Sequence, residues 1–262
     1  MDAYIWMNSL AGLFVGAMVG ATGVGGGAVM TPLLILLMGV APHTAIGTDL
    51  LYASLTKMVG VGVHNAERRV DWQVVRRLAT GSLPAAIATL TWLRCAESSG
   101  VRSGVITIAL GVVLVITALT MVIKPYMNRL GKHLRITDPS RFLKYQPALT
   151  VLAGAILGFM VALTSIGAGA LGAVMLLFLY PLRLTPAKLV ATDLAHAIPL
   201  ALVAGAGHIL LGNVDFVLLG WLLLGSIPGV VIGSHFGGKL PDKALRIAIA
   251  IVLGGVGLKL LG

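Results

Sequence analysis

Gly20-Ala21-Thr22-Gly23-Val24-Gly25-Gly26-Gly27 returns 144 positions later as Thr164-Ser165-Ile166-Gly167-Ala168-Gly169, and the same offset holds well beyond the glycines. It lays Pro42 on Pro186, Thr48-Asp49-Leu50 on Thr192-Asp193-Leu194 and His64 on His208. It carries on through Val70-Asp71 and Val214-Asp215, and through Gly81-Ser82-x-Pro84 and Gly225-Ser226-x-Pro228, to Arg102 and Arg246. The matched residues are mostly glycine, proline and polar types, not the Leu and Val that coincide by chance in an apolar chain. The sequence contains one unit twice. A glycine turn and a polar pair recurring once per half is the pattern of a membrane transporter whose site lies on an internal pseudo-symmetry axis.

Composition narrows the class further. Hydrophobic residues make up 58% of the 262 and charged residues 11%, against about 25% charged in a soluble domain. A soluble fold has nowhere to hide that much apolar surface. The chain reads as an all-α polytopic membrane protein whose constant partner is the lipid bilayer. Its net charge of +10 sits mostly in loops, where it marks the cytoplasmic side and calls for no nucleic acid. The single cysteine, Cys95, excludes an intramolecular disulfide and a cysteine metal cluster. No cofactor or metal is expected. Met1-Asp2-Ala3-Tyr4 lacks the basic start of a signal peptide, so the first helix is expected to stay in the mature protein.

Apolar stretches run over 5–22, 28–41, 45–63, 74–94 and 102–123, then 148–163, 170–182, 187–211, 215–235 and 244–261. This predicts a transmembrane repeat over 1–123, a basic connector over 124–147 and a second repeat over 148–262. The connector (Lys124, Arg129, Lys132, Arg135, Arg141, Lys144) and the turn at 64–77 (Arg68, Arg69, Arg76, Arg77) read as cytoplasmic. In the second half the basic turns are 183–188 and 236–246, whereas 208–215 has no Lys or Arg. The two halves are therefore expected to be inverted, with five segments each and both termini outside. From Ala148 to Tyr180 there is too little chain for two full crossings at about 1.5 Å per residue. The first two segments of each half are expected to be short or discontinuous around the glycine turn, which is tolerated where backbone is buried in protein or lines a wet cavity.

Candidate residues follow from that frame. Gly25, Gly26 and Gly27, with Gly167 and Gly169, let a ligand approach the backbone at the positive end of a short helix, an anion site. Thr164 and Ser165 add hydroxyls, and Thr48 and Thr192 are further donors. Lys57, deep in its span, would attract an anion or neutralise Asp49 or Asp193. Acidic residues in apolar spans are functional candidates by default, so Asp49 and Asp193 are candidates for proton coupling. His64 and His208 titrate near neutrality and are candidate relays, with helix capping as the plainer role. His196 is placed to pair with Asp193, one turn earlier. Asp71 and Asp215 read as helix caps. No set of residues reads as catalytic.

The pattern Gly-x-x-x-Gly-x-x-Gly-x-Gly-Gly-Gly-x-x-x-x-Pro-x-Leu from Gly16 to Leu34 is followed by Ala45-x-Gly-Thr48, Gly-x-x-x-His64 and Val70-Asp71. With its second-half echo, through His208-x-x-x-x-Asn-Val-Asp215 and Gly225-x-x-Pro228-Gly229, it resembles the TauE/SafE sulfite exporter family. The resemblance implies a multi-pass permease of a bacterial or archaeal cytoplasmic membrane. Its small anionic substrates would be sulfite, sulfoacetate or other organosulfonates, and a homodimer is compatible with it. Family members commonly have Ser after the threonine matched by Thr48; this chain has Asp in both repeats, which raises the weight of proton or cation coupling. The resulting expectation is a proton-coupled exporter working by alternating access. The alternatives are a passive anion channel, a permease importing thiosulfate or another oxyanion and, remotely, an intramembrane enzyme.

Overall fold

A computed structural model describes residues 2–22, 27–64, 69–98, 103–137, 139–167, 169–235 and 242–262. Its elements are α1 (Asp2–Thr22), α2 (Gly27–Leu36), α3 (Pro42–His64), α4 (Trp72–Ser98), α5 (Ser103–Thr137), α6 (Pro139–Thr164), α7 (Ala170–Leu179), α8 (Pro186–Leu210), α9 (Phe216–His235) and α10 (Asp242–Leu261). Each coincides with one predicted apolar stretch. Among the described residues, three helical stretches are long and apolar enough to cross a membrane by themselves: Leu143–Thr164, Pro186–Leu210 and Phe216–His235.

Of the two segments expected to be short in each half, only the second is: α1 has 21 residues and α6 has 26, whereas α2 and α7 have ten. The segment 28–41 yields a helix of only ten residues, because Gly39 takes a positive φ of 65° and turns the chain before Pro42. The basic stretch 124–147 is not an irregular connector. α5 runs on through it to Thr137, and α6 begins at Pro139. Met127, Arg129, Leu130, Lys132 and Leu134 are all helix formers, and proline is well suited to a first helical position.

The packing is inside-out for water. Phe14, Leu119, Leu152, Leu224 and Ile251 are exposed, whereas Thr31, Thr48, Asp49, Lys57, Ser82, Thr192, Asp193 and Ser226 are buried. A hydrocarbon solvent demands that arrangement, since polar groups must find partners inside the protein. The chain is a multi-pass membrane protein.

Glycines set the closest helix contacts. A Cβ at Gly12, Gly16 or Gly20 of α1 would run into the carbonyls of Leu222, Ser226 or Val230 of α9. At Gly154 and Gly158 of α6 it would meet the carbonyls of Leu78 and Ser82 of α4. Residue numbers rise together in both pairs, so α1 runs parallel to α9 and α6 parallel to α4. Without a hydrophobic drive in lipid, such backbone approach is what holds helices together. The packing repeats at the sequence offset: α1 packs on α9 as α6 packs on α4, and α3 on α9 as α8 on α4. α3 and α8 cross antiparallel at the middle, with Gly47 against His208 and Gly205 against Leu51.

Candidate functional site

Threonines tie the halves together. Thr48 Oγ1 accepts the backbone N–H of Asp215, and Thr192 Oγ1 accepts that of Asp71, each at 3.0 Å. Each threonine thus holds the turn that opens a helix of the other half. Asp71 and Asp215 are the helix caps expected: Asp71 Oδ1 accepts from Val74 N at 3.3 Å, and Asp215 Oδ1 from Leu218 N at 2.9 Å. Asp71 also takes an ion pair from Arg183 at 2.6 Å, which fixes turn 180–185 to the start of α4. Thr48 and Thr192 are therefore clasps between the repeats through their oxygens, and each keeps its own O–H to donate. Replacing either by Val leaves a partly buried N–H without its acceptor, at a cost of about 1–3 kcal/mol. Thermal unfolding in detergent checks this, and the two variants should lose similar stability.

The second glycine turn is well defined. Gly167 and Gly169 have φ of 128° and 122°, and Ser165 has φ 59°. The two glycines hold conformations that a side chain would strain, and Gly169 caps α7. Thr164 is spent on this turn. Its hydroxyl reaches the Met160 carbonyl at 2.7 Å and accepts from Ile166 N at 3.1 Å, so the donor role expected for it goes to its own backbone. The Ser165 hydroxyl is buried and lies close to Asp49. Gly25 and Gly26 lie outside the described residues, and Gly27 opens α2.

The charged groups lie on either side of the helix crossing. Thr31 of α2 donates its hydroxyl to Asp49 Oδ2. On the other side a Cβ at Gly172 would strike the Asp193 carboxylate, so Asp193 lies against the first turn of α7. The short helices thus already have carboxylates of the chain beside them, where an incoming anion had been expected alone. The antiparallel contacts of Gly47 and Gly205 place the crossing midpoint of α3 and α8 near Thr56. Lys57 is next to it, within electrostatic reach of both Asp193 and Asp49. Each carboxylate lies roughly 10 Å along its helix from that midpoint, on opposite sides. Lys57 therefore faces two resident anions.

Further polar groups line the same centre. His196 Nε2 bonds Ser82 Oγ at 2.8 Å, in place of the expected pairing with Asp193. Tyr52 lies beside Ser226 and within reach of Asp49. The offset of 144 maps Tyr52 onto His196 and Ser82 onto Ser226, so these are one pair present twice. Asp49 Oδ1, Tyr52 Oη, Ser165 Oγ, His196 Nδ1 and Ser226 Oγ are buried without a hydrogen-bond partner among the described residues. Five such atoms in one apolar interior are too costly to be idle. His208 sits apart: its Nε2 bonds the Ala162 carbonyl at 2.9 Å and pins the last turn of α6. His64 ends α3, and its side chain lies outside the described residues.

The comparisons with known proteins agree with this architecture. The family model described as "Sulfite exporter TauE/SafE" matches residues 9–260. The chain is 41% identical over 257 residues to the "Probable membrane transporter protein YjnA" of Bacillus subtilis (strain 168), covering 96% of this chain and 98% of that one. It is 26% identical over 247 residues to the "Probable membrane transporter protein YdhB" of the same organism, covering 94% and 96%. No solved structure matches. The chain belongs to the sulfite exporter TauE/SafE family, and is a membrane transporter rather than an enzyme.

Proposed function

We propose that the protein is a secondary transporter of the cytoplasmic membrane. In this reading it moves small sulfur-containing anions, such as sulfite, sulfoacetate or other organosulfonates, outward by proton-coupled alternating access. The observation that carries it is the buried centre between α3 and α8. There Asp49 and Asp193 lie beside the short helices and Lys57 within reach of both. The two repeats are inverted, each with a short segment at its glycine turn, and rocking of one half against the other would open the centre to either face. The Asp71–Arg183 pair and the Thr192 clasp close the basic, cytoplasmic end, and both termini lie at the other face.

Coupling follows from competition for the same dipole. A resident carboxylate and an oxyanion both favour the positive end of α2 or α7, and both are drawn to Lys57. Protonation weakens the carboxylate's hold, so proton binding and anion binding raise one another, as linkage requires. Such a carrier follows the sum of its gradients, so an anion is driven out where its own outward gradient exceeds the inward proton gradient. Ser165, Tyr52 and Ser226 supply hydroxyl donors for the oxyanion, and Gly167 and Gly169 let it approach the backbone.

A flux panel in proteoliposomes with sulfite, sulfoacetate, taurine, sulfate and thiosulfate at two pH values tests the substrate class. Saturable flux of sulfite or a sulfonate that is faster at the acidic value supports the reading. Flux of none of them refutes it, and flux of thiosulfate alone transfers the site to the importing permease alternative.

A further inference from the structure

The centre holds an uneven number of charges. Asp49 and Asp193 bring two carboxylates, and Lys57 is the cation within reach of both. A bare net negative charge between membrane helices costs several kcal/mol even when partly solvated. Among the described residues, the other titratable groups facing this centre do not balance it. His196 of α8 bonds Ser82 of α4, and a second cation there would be repelled by Lys57. Tyr52 is a neutral hydroxyl beside Ser226 of α9. From α2 comes Thr31, from the turn after α6 comes Ser165, and from α7 comes Gly172, none of which carries charge.

Lys57 lies within reach of both carboxylates, and Asp193 also lies at the first turn of α7. Asp49 takes a hydroxyl from Thr31 on Oδ2 and lies beside Ser165.

We propose that Lys57 is one counter-ion shared by two carboxylates, and that the carboxylate it does not serve holds the coupling proton. Position 57 maps onto Ala201 in the second repeat, so the lysine breaks the symmetry at the place where one side chain reaches both halves. When the halves rock, Lys57 moves from one carboxylate to the other. The carboxylate it reaches gives its proton to water and the one it leaves takes a proton from water, so the centre holds one proton and stays neutral in both states. This deepens the transporter reading and rests on its proton coupling, but needs no particular substrate.

Infrared difference spectra of the purified wild-type protein and its variants, recorded between alkaline and neutral pH, test it. The readout is the carbonyl stretch of a buried protonated carboxylic acid. Wild type shows this band. Asp49→Asn loses it, and Asp193→Asn loses it as well, because Lys57 then neutralises the remaining carboxylate. Lys57→Met roughly doubles the band, since both carboxylates must then be protonated. A band that survives at full strength in Asp49→Asn or Asp193→Asn overturns the proposal. The two Asn variants are nearly isosteric, so the test stands even where Lys57→Met fails to fold. Spectra that follow this pattern with no sulfite or sulfonate flux would sink the substrate class alone. The opposite combination would sink the shared counter-ion alone.

Discussion

Lys57→Met is expected to abolish transport and to weaken the fold. Lys57 is 2% exposed, and its loss leaves Asp49 and Asp193 without their shared counter-ion. Removing one partner of a buried ionic network costs about 3–5 kcal/mol, much more than the network contributes net over an apolar replacement. A loss of that size in the transport cycle corresponds to flux lower by on the order of a hundredfold or more. Relief should come from removing the opposing charge. Lys57→Met/Asp193→Asn, with one carboxylate left, is expected to recover most of the thermal stability while remaining inactive. A structural lysine with no part in coupling would give a double variant that recovers both. Unfolding in detergent and flux in liposomes, measured on the same preparations, distinguish these results.

Gly172→Val is the second large effect. This glycine looks like helix filler in the sequence, yet the Asp193 carboxylate occupies the space of its missing side chain. A valine there must push Asp193 away from the first turn of α7 and from Lys57. Overpacking of this kind costs about 1–3 kcal/mol, and because it displaces a charged group the flux should fall at least about tenfold. Gly220→Ala is the matched control, since a Cβ at Gly220 meets nothing within 4 Å. Its stability and flux should equal those of the wild type.

Much of the architecture was legible before any coordinates. Apolar run lengths located every helix, because in a bilayer hydrophobicity and span nearly coincide. Short α2 and α7 followed from counting residues around glycine turns. The basic stretch 124–147 is helical, because a helix can project lysine and arginine beyond the membrane without ending. The site was less legible for a different reason. Thr48 meets a backbone N–H 167 positions away and His196 meets a serine 114 positions away. No pattern along a single span encodes such partners. Thr164 looks like a ligand donor in the sequence, but its hydroxyl goes to the Met160 carbonyl, and Thr48 and Thr192 accept backbone N–H groups across the repeats. Tyr52 is unexceptional alone, and Ser226 stands out in the sequence only as a matched position of the repeat. The signal was present in the duplication: the offset that pairs Ser82 with Ser226 also pairs Tyr52 with His196. Reading matched positions as contacts across the repeats would have found them.

The central claim is that one buried charged centre, shared by both repeats, couples anion movement to protons. Its most direct test is sulfite flux into proteoliposomes under an imposed pH gradient, with the membrane potential clamped, for the wild type and for Asp49→Asn. The account predicts that the gradient drives sulfite accumulation by the wild type, and that Asp49→Asn shows none. Equal accumulation by both proteins, or sulfite movement in the wild type that ignores the gradient, would contradict it.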